Sequence, residues 1–208
     1  MKRFLFVVLA WAAFQPVVAL AADPDPEANY QNLLAAAKSG TGPVDWQALR
    51  FAYADRPNYV PDADGDDRRA MFIAANAHDW ATVLAKANKV LDENYTDGMA
   101  HHSAAAADFS LGHRDEGAKE AAMAEGIFQS IRTGDGLSFE HAFTVISVAE
   151  EYDLLATMGV DLDQQALSNN DGHVYDVMTV HDDSGKTVVY YFNIDREWAA
   201  ETKMFAPH

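Results

Sequence analysis

Residues 64 to 97 and 98 to 131 run twice through one plan of helix, tight turn and helix, each copy 34 positions long. The turn falls at Asn76-Ala77-His78 in the first copy and at Ser110-Leu111-Gly112 in the second. Ala87 aligns with Ala121 and Val90 with Ala124, short side chains that let neighbouring helices approach. A unit this short cannot bury its apolar face alone, so a chain built from it must stack its units. The register extends back over 30 to 63, where Asp45-Trp46 is echoed 34 positions later by Asp79-Trp80. That first unit is the less regular one, because Pro57 cuts its second helix short.

The period is that of a tetratricopeptide unit, and the match is partial. Met71 and Ala105 occupy the small-residue position of the first helix, Asp67 and His101 stand where an early Trp is expected, and a closing Pro appears only as Pro61. The helices themselves are well marked. Tyr30, Leu33, Leu34 and Ala37 share a face before Gly40; Trp46, Leu49 and Tyr53 share another before Pro57. Asp66 or Asp67 is expected to cap the next helix, which turns Met71, Phe72 and Ala75 inward. Asp79 starts the clearest amphipathic helix, with Val83, Leu84, Ala87, Val90 and Leu91 on one side. The longest helical stretch runs from Arg114 towards Gly134.

At residue 142 the texture changes. "AFTVIS" is β-branched and aromatic, and Ser147 with Glu150 reads as a capping box for the helix of "VAEEYDLLATMG". Then "DLDQQALS", "HVYDVMTV" and "TVVYYFNI", separated by turns at "NNDG" and "HDDSGK", predict an antiparallel meander, and "REWAAETKMFAPH" one more short helix. The fold class is therefore α+β: tetratricopeptide-like antiparallel helical repeats over 30–134, followed by a small antiparallel sheet with one helix over 135–208, packed on the helices.

The N-terminal residues 1–21 have Lys2 and Arg3, an apolar stretch and a closing Ala19-Leu20-Ala21, the pattern of a secretory signal peptide cleaved near Ala21. The acidic, Pro-containing linker 22–29 follows. A periplasmic or secreted protein with no stable membrane anchor is the expectation. Loss of Lys2 and Arg3 would take the formal charge from -17 to -19, which repels phosphate backbones and disfavours nucleic acid as a partner. With no cysteine, thiol catalysis and thiolate metal sites are excluded.

No complete catalytic motif is present. His101 and His102 are adjacent, so on a helix they point about 100° apart and do not chelate one ion; His101 is expected on the inner face of a helix pair. "DADGDD" has the acidity of a calcium loop, but counting from Asp62 the required Gly is Asp67 and the required Glu is Ile73. No metal site and no cofactor is predicted. The weak catalytic candidates lie towards the C-terminus, where His173, Tyr175 and His181 share a strand face that His141 could join, with Glu140, Glu150, Glu151, Asp171, Asp176 and Asn193 nearby in sequence. A half-exposed sheet face accounts for the same residues without chemistry. Trp46, Tyr53, Trp80 and His101 are the candidates for an interaction surface on the helices.

The ordered segments "VDWQALRFAY", "ANKVLDENYTD", "GDGLSFEHAFTVISVAEEYDLLATMG", "YDVMTV" and "VYYFNI" resemble the bacterial family designated domain of unknown function 4919, over essentially the whole mature chain. The resemblance implies an export signal, tetratricopeptide-like helices and a small β-containing end, and brings no catalytic residues with it. The functional expectation is a non-catalytic module that binds a protein or peptide partner; the rival is a small-molecule or metal-binding protein, catalytic or not, with its site on the C-terminal sheet.

Overall fold

The computed structural model describes residues 25–61, 63 and 65–206; the expected signal peptide and most of the linker lie outside them. Six helices come first: α1 (Pro26–Ser39), α2 (Trp46–Ala54), α3 (Gly65–Asn76), α4 (Trp80–Glu93), α5 (Gly98–Leu111) and α6 (Arg114–Ile131). Then follow β1 (Phe143–Thr144), α7 (Val148–Met158), β2 (Asp161–Asn170), β3 (His173–His181), β4 (Thr187–Asn193) and α8 (Asp195–Met204). The class is α+β, antiparallel helix pairs followed by a four-stranded mixed sheet with helices. No helix among the described residues is long and apolar enough to cross a membrane.

Capping by aspartate sets four of the helix starts. Asp25, Asp45, Asp79 and Asp97 each accept a backbone N–H from their own first turn, those of Glu27, Ala48, Thr82 and Ala100. The Asp-Trp echo is thus the same cap used twice, with Trp46 and Trp80 as first helical residues. Asp66 and Asp67 do not cap α3, because the helix already begins at Gly65 and places both in its first turn. There Asp67 instead holds Lys86 of α4 at 2.5 Å.

Helices α3 to α6 pack in sequence, each on the next; α3, α4 and α5 share a core of Met71, Val83, Ala87, Val90, Ala100, Ala104 and Ala107, while α6 gives Ala124, Phe128 and Ile131 to the core under the sheet. The α1–α2 pair leaves that order and packs α2 on α6. Two features allow it. The nine-residue α2 stops before Pro57, and Gly126 of α6 offers no side chain where the Trp46 indole lies, since a Cβ there would stand 2.3 Å from its Nε1. Tyr30, Ala37, Leu49, Ala52 and Tyr53 form a core of their own with Ile146, and Tyr95 bridges to the array. Each fully buried Leu, Ile or Met of these clusters contributes roughly 1.5–3 kcal/mol relative to exposure.

The sheet order is β1-β4-β3-β2. Its three long strands form the expected antiparallel meander; the short β1 joins the other side of β4 in parallel, Phe143 opposite Phe192. Asp171 and Gly172 both take positive φ, 49° and 85°, the turn that matches strand twist between β2 and β3. One sheet face, with Met178, Val180 and Phe192, packs against α6 and α7 through Phe128, Ile131, Leu154 and Leu155.

Candidate functional site

The buried polar chemistry converges where α2, α3, α5 and α7 meet. Arg50 falls on the inward face of α2, four residues after Trp46 and three before Tyr53, and is fully buried. Its Nε and Nη2 donate to the two carboxylate oxygens of Glu150 at 2.7 and 2.5 Å, Nη2 also donates to the Thr144 carbonyl at 2.9 Å, and Nη1 to Ser130 Oγ at 3.3 Å. Glu150 therefore departs from the reciprocal capping box. The Ser147 hydroxyl accepts the Glu150 N–H at 3.4 Å, but the Glu150 carboxylate, drawn to Arg50, accepts the N–H of Ile146 at 2.9 Å.

Arg68 of α3 makes a second junction. Its Nε donates to Asp97 at 2.7 Å and its Nη2 to Asp153 of α7. Asp97 uses its other oxygen to cap α5, at 2.7 Å from Ala100 N. Burial pushes the Asp153 carboxyl up to about 7 against the pull of Arg68, with Asp97 and Glu150 adding like charge. One guanidinium serves two carboxylates, and the second gains by keeping its proton.

A cleft opens beside both junctions, between Tyr59, Asn94, Thr96, Asp97, Ser147 and Asp153, with water-sized space of about 20 Å³. That is room for about one water. A larger open groove of about 500 Å³ lies where α7 meets α5 and α6. Its floor is Met99, Ala121, Ala124, Phe128 and Ala156, and its rim carries His102, Glu125, Arg132 and Thr157.

The C-terminal candidates do not converge. His173 and His181 stand at opposite ends of β3, eight residues or about 26 Å apart at strand rise. His173 Nδ1 lies 2.6 Å from Asp195 Oδ2 at the surface, and His181 Nε2 3.6 Å from Asp163. Burial alone would raise Asp195, but hydrogen bonds from Val174 N, His173 and Asn193 together hold it below the usual carboxylate range. Tyr175 is buried, its ring capped edge-on by Phe139 at 4.9 Å, while His141 lies exposed in the turn before β1. Glu151 and Asp176 face each other in the core under α7, where burial pushes Asp176 up. Among the described residues, no group of three or more His, Cys, Asp or Glu is arranged to hold a metal ion.

The helical candidates are mostly interior. His101 is fully buried, as the helical spacing predicts, with Nδ1 at 2.6 Å from Glu120 of α6 and Nε2 at 3.1 Å from the Tyr95 carbonyl. Trp46 lies half-buried, stacked on Tyr95 and edge-on to His101, and Tyr53 is buried between Tyr30 and Tyr59. Trp80 sits apart, half-buried against His78. His102 points away from His101 to the groove rim. The junction residues Arg50, Arg68, Asp97 and Asp153 escaped the sequence reading, although a cation at an inward helical position, as Arg50 is on α2 and Arg68 three residues before Met71, signals a buried ion pair.

No curated protein and no solved structure matches the chain. A family model described as Domain of unknown function (DUF4919) matches residues 22–203, so the chain belongs to the DUF4919 family.

Proposed function

We propose that the chain is an exported, non-catalytic module that holds a segment of another protein in the groove between α5, α6 and α7. The observation that supports this reading is the groove itself, with a floor of Met, Phe and Ala side chains and a rim of His102, Glu125, Arg132 and Thr157. An apolar floor with a few polar groups at its edge suits a peptide or an amphipathic helix. Against a catalytic reading stand the one-water cleft and the engagement of Arg50, Glu150, Arg68, Asp97 and Asp153 in bonds between helices. The rival site on the sheet has less support, because its histidines lie at separate ends of β3.

The test uses a photo-reactive residue in place of the exposed His102, in the native host, with and without Ala121→Trp to fill the groove. The expected result is a discrete cross-linked product from the envelope fraction that Ala121→Trp abolishes while the melting temperature is unchanged. Identical cross-links from the filled groove would sink the proposal.

A further inference from the structure

The last strand of the sheet has an open side. β2 pairs only with β3, and among the described residues no main-chain bond from outside the sheet reaches it. Such an edge presents a row of N–H and C=O groups to any extended chain, and proteins usually blunt it with a charge, a proline or a bulge. β2 is blunted only at its start, by Asp161, Asp163 and the irregularity between Leu162 and Gln164. The following Gln164-Gln165-Ala166-Leu167-Ser168-Asn169-Asn170 has no charge and no proline, and Leu167 is 53% exposed at its centre. Seven residues span roughly 23 Å, the length of an ordinary strand.

We propose that β2 accepts a fifth strand, an extended peptide with an uncharged β-branched centre and a basic residue at each end. Charge complementarity selects the ends, because carboxylates flank the neutral window at Asp161 and Asp163 on one side and Asp171 on the other. Opposite charges at facing positions support strand pairing and like charges oppose it. A second copy of the chain is the wrong partner on the same ground. Antiparallel self-pairing about Leu167 sets Asp163 of each copy opposite Asp171 of the other, between two chains of formal charge -17. This surface is separate from the groove, whose lining comes from α5, α6, α7 and Arg132.

The probe is the peptide Lys-Val-Thr-Val-Thr-Val-Thr-Val-Lys, long enough to set its lysines opposite Asp163 and Asp171, added to the full chain, with a control N-methylated along one edge and a second control flanked by Glu. Amide hydrogen exchange reads the site. The expected result is slowed exchange confined to 164–170, no slowing with either control, and about tenfold weaker binding to an Asp163→Lys, Asp171→Asn variant with an unchanged circular dichroism spectrum. That variant should gain affinity for a peptide with Glu at the end facing position 163. The proposal is overturned if the N-methylated peptide binds as well, if protection falls elsewhere, or if no binding is seen at millimolar peptide. Protection of 164–170 that grows with protein concentration alone would replace the peptide by a second copy. Groove cross-linking and edge protection fail independently of each other.

Discussion

Two arginines join the helices, Arg50 fully buried and Arg68 partly so, and they are balanced differently. Arg50 meets one carboxylate, Glu150, and spends its remaining donors on the Thr144 carbonyl and the Ser130 hydroxyl. Arg68 stands between two carboxylates, Asp97 and Asp153, with Glu150 close enough to add to the negative field on Asp153. The first junction is neutral as built. The second carries one negative charge too many unless a proton stays on it, so the hold of that junction depends on pH.

The largest test of this contrast is Arg50→Met, which strands Glu150 in the core. The expected loss is about 3–5 kcal/mol of unfolding free energy, and the double change Arg50→Met, Glu150→Leu should recover most of it. Denaturant unfolding measures both; a single change that costs under about 1 kcal/mol would mean that the pair is not buried as described.

The second test follows the proton on Asp153. Its folded-state value, about 7, lies above the unfolded one of 3.8, so the folded chain binds that proton more tightly. Its contribution is complete below the unfolded value and is lost as pH rises towards about 7. The stability of the wild type relative to Asp153→Asn, read as a melting-temperature difference, should therefore be highest below the unfolded value of 3.8 and fall steadily as pH rises to about 7, always against the wild type. Glu27, Asp67, Asp79 and Asp182 are held low by their hydrogen-bond partners and act in the opposite sense at lower pH, which is why the difference curve is the informative one. A flat difference would show that Arg68 neutralises both carboxylates.

The smallest test separates the Arg50 clamp from local helix stability. Asp45→Ala removes only the cap of α2 and should cost about 1 kcal/mol. A cost close to that of Arg50→Met would mean that α2 is held by its own first turn more than by the core.

What could be read in the sequence was local. Asp79 before Trp80, Gly112 after Leu111 and the Asp171-Gly172 turn each act through neighbours within a few residues, and each appears where the pattern puts it. The partners of identical signals could not be read. Asp45-Trp46 and Asp79-Trp80 start their helices alike, yet Trp46 lies on Gly126, Tyr95 and His101 while Trp80 meets His78. The same limit explains the candidate site. Strand alternation placed His173, Tyr175 and His181 on one face, and their eight-residue spacing already sets the two imidazoles far apart, but nothing local shows that Phe139 covers Tyr175. Glu150 looked like a cap because its distant partner, Arg50, is a hundred residues away.

The docking of α2 on α6 has a consequence for the order of assembly. Helices α3 to α6 find their neighbours next to them in the chain, so their contacts close short loops and cost little entropy. The α1–α2 pair must wait for Ser130 and Glu150, 80 and 100 residues downstream of Arg50. A chain made from its N-terminus therefore produces its first two helices early and seats them late, with Tyr30, Leu49 and Tyr53 lacking their Ile146 contact until the segment leading into α7 has arrived.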